Sequence, residues 1–445
     1  MWTLHGQQLN VSVNKEVSYM TLTGIALMIC LALLAQLSWH MVRNHIVIER
    51  LESLQNSKRQ EAGQKTETPE LFVVIPCLRE QTTILDTMDY FLELTSNSEN
   101  IHLVIVTTEK EKAEARSSDY VTTYSVIRKK ITGSLRYSGV TLLNYPKTDG
   151  MMAHQLNYAA RYIKEHSHAN WSKSYFVVYN ADSRPGRNVF REVYAKAFDR
   201  SWPKVMQEYS AFFLNLDSLS PLMRGFAVYQ TNFELTNGYT NSILYSDYLR
   251  SHVVGHGLYL RFDFLDAIGG FTTRFWCEDI YLSFYLRSIG VRAVPIDTVE
   301  IAEAPKSMSV LIKQNANWFK TLSETTKIYH SLSDEIFNTR AFLYWMNQLR
   351  GAAAWVLLPS AYVLLAVALL VTQNWVISAL FCITLWAPTT MRYLLTLRLF
   401  RRLNMDKIDT EFRMSVLGSA AYLVSNLGPL YGLTHLHAQK YKTER

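Results

Sequence analysis

Cysteine is scarce: four residues in 445, at Cys30, Cys77, Cys277 and Cys382. Two lie in apolar segments, one at the end of a strand-like run and one beside an acidic pair, and no spacing suggests a disulfide framework or a zinc site. Internal repeats and low-complexity tracts are also missing. So is any basic stretch interleaved with aromatics of the kind single-strand binders use, and no nucleic-acid partner is expected. The formal net charge of +7 is explained by membrane orientation and attraction to anionic headgroups of membrane lipids. No basic leader precedes the first apolar run, which is too long for the core of a signal peptide. It is expected to be a retained anchor, with the mature protein beginning near Met1.

What is present is unevenly spread. The chain exceeds one compact domain, and a mean hydropathy near zero hides a division. Residues 21–42, 351–371, 375–397 and 414–433 approach the roughly 20 residues a bilayer-spanning helix requires, whereas everything between Arg43 and Arg350 reads as soluble. Arg43, Arg50, Lys58 and Arg59 follow the first segment while the N-terminal tail is almost neutral, so the positive-inside rule places the soluble part in the cytoplasm, at the plasma (inner) membrane. Arg392, Arg398, Arg401 and Arg402 mark a second inside loop, with a tight outer turn at Thr372-Gln373-Asn374. The last segment holds Ser419, Ser425, Asn426, Gly428 and Pro429, and its tail carries Lys440, Lys442 and Arg445, so a span and a re-entrant or interfacial segment both stay open. The expected boundaries are a tail (1–20), a transmembrane helix (21–42), a linker (43–69), a cytoplasmic catalytic domain (70–335), an interfacial helix (336–350) and a membrane region (351–445) with two or three transmembrane helices.

Within the soluble part, the runs 71–77, 101–108, 140–146 and 174–180 are β-branched or aromatic and apolar nearly throughout, as strands buried on both faces are. Helical stretches separate them, which predicts an α/β fold with a mostly parallel sheet and right-handed crossovers. Ligands on such sheets bind beyond the carboxyl ends of the strands. Each run finishes there in polar residues: Arg79-Glu80, Thr107 to Glu109, Lys147 to Asp149, and Asn180 to Asp182.

Several of these residues carry chemistry. In YNADSRP, Asn180 and Asp182 are two apart and point to one side, where their oxygens suit Mg²⁺ or Mn²⁺ against a diphosphate; an Asx turn is the competing reading. Glu278-Asp279 opens an amphipathic helical stretch, and Asp279 is suited either to take a proton from an attacking hydroxyl or merely to complement the helix dipole. His256 and Gly257, in GHGLYLR, offer a hydrogen bond and a close backbone approach, or only a turn. Gln314 and Trp318 are one helical turn apart; the indole is a platform for a sugar ring or a piece of core. Lys147 precedes a helix start where cation and amides can grip phosphate, or is simply solvated.

Taken in order, VIPCLRE, VIVTTEKE, KTDGMMAHQLNYA, NADSRP, GHGLYLR, GGF, CEDIYL and APKSMSVLIKQNANW resemble the motifs of membrane-bound family 2 glycosyltransferases, inverting enzymes that include the cellulose, chitin and hyaluronan synthases. The likeness runs from about Leu71 to Trp318 and into the following membrane segments. It implies a GT-A type sheet with flanking helices, and α-helical transmembrane segments at both ends of the chain. By this resemblance Asp279, in the pair with Glu278, is the catalytic base, Asp182 a metal ligand, Lys147 a diphosphate contact, Glu109 a nucleobase reader, and Trp318 part of the acceptor and nucleotide platform. Asn180 stands where the family has the first acid of its Asp-x-Asp element, Thr107-Thr108-Glu109 replaces an Asp-rich strand end, and Asn317 takes the place of an arginine. The expected activity is transfer from a UDP- or GDP-sugar to a growing polysaccharide or lipid-linked glycan, with partner subunits for export in view. Single transfer to a polyprenyl phosphate or other lipid is the alternative within the class. A catalytically silent nucleotide-sugar-binding subunit is another; a transporter fits poorly, with too few spans for inverted repeats.

Overall fold

The computed structural model describes residues 2–56, 68–96, 98–115, 119–244, 253–275, 277–336, 339–403 and 412–434. Lys58, Arg59, Lys440, Lys442 and Arg445, on which the charge reading drew, lie outside them. In chain order the elements are α1 (Trp2–Asn56), β1 (Glu70–Pro76), α2 (Ile84–Thr95), β2 (Ile101–Thr108), α3 (Lys110–Ala113), α4 (Thr123–Thr132), β3 (Val140–Tyr145), α5 (Met152–His166), β4 (Ser174–Val178), α6 (Val189–Asp199), β5 (Val205–Ala211) and α7 (Pro221–Phe233). There follow a π-helical turn (Glu234–Tyr239), α8 (Thr240–Leu244), β6 (Leu258–Arg261), α9 (Phe262–Ala267), α10 (Glu278–Ser288), β7 (Ala293–Ile301), α11 (Met308–Ile336), α12 (Thr339–Thr372), α13 (Trp375–Arg402), α14 (Phe412–Ser425) and α15 (Leu427–Thr434).

The strands form one seven-stranded sheet in the order β3-β2-β1-β4-β6-β5-β7. Only β6 runs antiparallel to its neighbours; the rest of the sheet is parallel. The alternation of side chains along β1 shows why these runs are apolar throughout. Leu71, Val73 and Ile75 enter a core with Ile84, Met88 and Phe91 of α2, while Phe72 and Val74 enter a second core with Leu156 and Ala159 of α5. Each such side chain stabilises the fold by roughly 1.5–3 kcal/mol on burial. Four of the strands coincide closely with the expected runs. The strands β5, β6 and β7 complete a seven-stranded sheet of which the sequence reading saw four strands.

Two helical stretches, Met20–Arg50 and Thr339–Val371, are long and apolar enough to cross a membrane. The first belongs to a single helix, α1, in which tail, anchor and the start of the linker are continuous. Residues 339–350, expected in a separate interfacial helix, are the first turns of α12. The turn after α12 is as read: Gln373 has φ +48°, and the Asn374 side chain caps α13 by accepting from the amides of Val376 and Ile377 at 3.0 and 3.3 Å.

Other membrane-side expectations change. Arg392 is not in a loop but is buried inside α13, where it donates to Ser419 Oγ and to Thr389 Oγ1 at 3.3 Å. Arg402, the last residue of α13, donates to the Asp297 carbonyl of β7 at 2.9 Å and docks the helix on the sheet domain. The last apolar segment breaks at Asn426 into helices of 14 and 8 residues, both shorter than a span requires. Its glycines explain its place. A Cβ on Gly418 would lie 2.9 Å from the Gly225 carbonyl of α7, and one on Gly432 would lie 3.1 Å from the Ala316 carbonyl of α11. Close helix approach through small residues is the usual device of such crossings.

Gly418→Ala should therefore destabilise the detergent-solubilised protein by about 1–3 kcal/mol, read as a lowered thermal midpoint. Gly24→Ala in α1, where nothing lies within 4 Å of the added methyl, serves as the control and should leave the midpoint in place or raise it.

Candidate active site

The antiparallel strand decides which loops meet. The register pairs Val178, the end of β4, with Leu258, the start of β6, and pairs Gln207 of β5 with the same Leu258. The loop that feeds β6, Gly255-His256-Gly257, is thereby delivered to the carboxyl edge of the parallel strands, beside Asn180 to Asp182. Had β6 run parallel, that loop would lie at the opposite edge.

Beneath the loop is a buried network that the sequence reading missed. The His256 imidazole, through Nδ1, pairs with Glu300 Oε2 of β7 at 2.9 Å, and Glu300 is wholly buried. The second Glu300 oxygen accepts from Ser183, whose Oγ in turn accepts the Asn180 amide at 3.0 Å. Glu208 of β5 lies alongside, accepting from Tyr179 Oη at 2.5 Å, Thr298 Oγ1 at 2.6 Å and the Gly186 amide at 3.1 Å. It sits where the β5–β7 register shifts, a bulge that turns its carboxyl toward the loop after β4. Gln207 finishes the frame. Its Nε2 donates to the His256 carbonyl at 2.7 Å and its Oε1 accepts from Val254 at 2.9 Å.

The electrostatics follow from burial. Desolvation opposes a charge on His256, but the Glu300 carboxylate beside it, helped by Glu234 and Asp182, raises its pKa to about 9. Burial, then repulsion from Glu300, pushes the Glu208 carboxyl up to about 7. Gly257 has φ +60°, and a Cβ there would collide with the Glu208 carbonyl. Its glycine is demanded by the backbone of β5.

Glu278 and Asp279 are the first two residues of α10. Asp279 accepts the Ile280 amide through Oδ1 at 2.8 Å, while its Oδ2 lies 3.6 Å, and Glu278 Oε1 3.5 Å, from the point where a Cβ on Gly255 would stand. Asp279 and the Asp182 turn thus flank one short loop, joined in order through Ser183, Glu300, His256 and Gly255. The Met152 methyl at the start of α5 reaches the same Gly255 position at 3.5 Å. Cys277 Sγ meets Thr321 Oγ1 of α11 at 2.9 Å, bringing the helix of Gln314 and Trp318 against α10. Trp318 is 37% exposed, a ring open to a ligand, and Gln314 Oε1 is buried with no hydrogen-bond partner among the described residues.

The nucleotide-side candidates sit further along the same edge. Glu109 follows β2 and accepts from the Asn144 amide of β3. Lys147 is exposed in the loop after β3, and its carbonyl lies 3.4 Å from Thr108 Oγ1. Gln155 of α5 ties β1 to β2, donating to the carbonyls of Cys77 and Val106, each at 2.9 Å.

The fold is shared with a solved mannosyltransferase. This enzyme, PcManGT from Pyrobaculum calidifontis, was solved in complex with GDP-Man and Mn²⁺; it superposes with a TM-score of 0.51 over 91% of this chain and 98% of its own, at 17% identity. TarS 1–349 of S. aureus, in complex with UDP-GlcNAc, matches 79% of this chain and 91% of its own with a TM-score of 0.37 and 10% identity, too distant to carry an argument. No family model and no curated protein matches the sequence.

Among the described residues no group of three or more His, Cys, Asp or Glu side chains is arranged to hold a metal ion. Asp182 with Asn180 supplies one carboxylate and one amide oxygen. That donor set fits Mg²⁺ or Mn²⁺ bound chiefly through a ligand's phosphates and water, and does not fit an all-protein cage.

Sequence reasoning passed over Glu208, Glu234 and Glu300. The available signal was an acid inside an otherwise strand-like run, VMQEYSAFF or VPIDTVEI. The raised pKa values carry a sign. His256, at about 9 against an ordinary 6.5, contributes stability that is complete below 6.5 and is lost as pH rises through about 9. The thermal midpoint should fall across that window, and His256→Gln should lack the alkaline part of the decline; parallel profiles for the two proteins would show that the pair is not formed.

Proposed function

We propose that the protein is a membrane-anchored inverting glycosyltransferase of the family 2 kind, moving a sugar from a cytoplasmic UDP- or GDP-sugar to a growing surface polysaccharide or lipid-linked glycan. The observation that supports this most is the delivery of the Asp182 turn, the His256 loop and the Asp279 helix start to one strand-end edge. A nucleotide sugar laid along that edge would have its base toward Glu109, its diphosphate toward Lys147 and Asp182, and its sugar toward His256 and Trp318. A divalent ion held by Asp182 and Asn180 would neutralise charge on the leaving diphosphate.

The chain's own residues supply the rest. Asp279 takes the proton of an acceptor hydroxyl as its oxygen attacks the anomeric carbon from the face opposite the nucleotide. One C–O bond forms and the bond to the diphosphate oxygen breaks, so configuration inverts and no covalent enzyme intermediate arises. His256, fixed by Glu300, holds its loop against the acceptor side. Apolar helices at the two ends of the chain would keep the site near the inner leaflet, with the catalytic part in the cytoplasm.

Membranes containing the protein, given a panel of UDP- and GDP-sugars with Mg²⁺ or Mn²⁺, should release nucleoside diphosphate from one donor. Asp279→Asn should lower that rate by about 10²–10⁴-fold while donor binding, followed by calorimetry, is retained. Release that is unchanged in Asp279→Asn, or absent with every donor, would end this reading, the second outcome in favour of a silent binding subunit. A ladder of product lengths indicates polymer growth; one labelled lipid species indicates single transfer. Chelation should abolish release and added Mn²⁺ should restore it.

A further inference from the structure

The helix after β5 changes its winding once. After Phe233 the chain passes through the π-helical turn Glu234–Tyr239 before α8 resumes ordinary winding. Such turns are rare and recur at functional sites, because each holds one residue more than an α-turn and re-aims a side chain. This one is held from outside. The Arg43 guanidinium of α1 reaches the Thr236 carbonyl at 3.4 Å and the Asn237 side chain, and Asn232 donates to Asn44 of α1 at 2.8 Å. On the inner side, a Cβ on Gly238 would press into the Tyr209 ring of β5 at 2.6 Å, so the turn lies flat against the sheet.

The winding leaves Glu234 inside, 8% exposed. Among the described residues no hydrogen-bond partner reaches its Oε1. The charged and titratable groups it faces are His256, Glu300 and Asp279, with Tyr209 on the strand behind. Burial, with repulsion from Glu300 and Asp279 and against the attraction of His256, pushes its carboxyl up to about 7. The Oε1 atom lies 3.6 Å from where a Cβ on Gly238 would stand, and a buried polar atom of this kind takes its partner from water or from a bound ligand.

We propose that Glu234 is an acceptor-binding residue whose carboxyl hydrogen-bonds a neutral hydroxyl beside Asp279, so that the site takes a hydroxylated glycan end and not a lipid phosphate. This rests on the glycosyl-transfer reading above. A hydroxyl donates to the ionised carboxylate, the stronger bond, or accepts from the neutral acid, so it is held in both states but more tightly once the group ionises. An incoming phosphate would meet the charge of Asp279, and of Glu234 itself when ionised, while His256, the cation that Glu234 faces, is already paired with Glu300.

The test uses the full chain in detergent with the donor that the panel identifies, and two acceptor probes: a simple alkyl glycoside and a polyprenyl monophosphate. Transfer should go to the glycoside. Glu234→Ala should raise the glycoside KM by about 10- to 100-fold, with the donor KM moving less than about twofold, a split that a merely structural residue would not produce. Glu234→Gln, which keeps the shape and one donor, should show a smaller rise, and its acceptor KM should lose the pH dependence near 7 that the wild type shows. Preference for polyprenyl phosphate overturns the proposal, as does an unchanged glycoside KM in a folded Glu234→Ala. If that variant does not fold, the pH profiles of wild type and Glu234→Gln decide, and parallel profiles overturn it. Nucleoside diphosphate release with acceptor present separates the two levels: its absence from the wild type with both probes and in membranes removes the glycosyl-transfer reading and this one together, whereas its presence with any of the overturning results removes this one alone.

Discussion

The ion pair between His256 and Glu300 is the constraint on which the site's shape depends. Glu300 is on β7, at the far edge of the sheet, and His256 is in the loop before β6, so the pair fixes a loop to a strand it does not adjoin. With Glu300 wholly buried and His256 largely so, the pair gains little net stability over an apolar one, but removing either partner strands the other, at a cost of about 3–5 kcal/mol. The arrangement therefore selects geometry more than it adds stability. Through Ser183 the same carboxylate reaches the turn that follows β4, and through Gly255 the loop reaches Asp279. One carboxylate thus aligns three segments that are distant in sequence.

The four parallel strands β1 to β4 were legible because both their faces are buried, which leaves an unbroken apolar run. The strands β5 and β7 were not. Each carries acids inside the sheet, Glu208 in one and Asp297 and Glu300 in the other, and an acid in a short apolar run argues against a buried strand until its partners are known. Those partners are 22 to 117 residues away in the chain, as with Gly186 for Glu208 and Ser183 for Glu300. β6, at four residues, is too short to show any period. Asp182 and Asp279 could be picked out because a turn and a helix start make them locally conspicuous. Glu234 could not, since an unchanged α-helix pattern conceals the π-turn that aims it inward. Arg392 misled because a charge was read as lying in a loop, whereas its partners Thr389 and Ser419 lie on packed helices.

The helices at the two ends of the chain do more than flank the sheet. α14 crosses α7 where Gly418 and Gly225 meet, and α15 lies on α11 where Gly428 and Gly432 meet Asn315 and Ala316. The helix α7 leads into the turn of Glu234, and α11 carries Gln314 and Trp318. The polar residues that made this last segment ambiguous have a structural use: Ser425 offers its carbonyl to Asn315 at 3.2 Å, and the break at Asn426 lets one segment serve two helices. Arg43 and Asn44 of α1 hold the π-turn and the end of α7 through Thr236 and Asn232. The turn of Glu234 and the helix of Trp318 are thereby coupled to the packing of the terminal helices.

That coupling and the buried acids together give a physical reason for Asn180. Glu208 and Glu300 are wholly buried behind the β4 loop, Asp182 is 3% exposed within it, His256 pairs with Glu300, and Arg184 lies within the field of Asp182. A further carboxylate at 180, two residues from Asp182, would add like-charge repulsion to a region where burial already holds Glu208 near neutrality at about 7. An amide keeps an oxygen ligand on the same side while leaving the charge unchanged. An amide at 180 thus fits acids placed deeper in the sheet, and on the proposed reading an ion at that loop would draw more of its charge balance from the donor's diphosphate than from the protein.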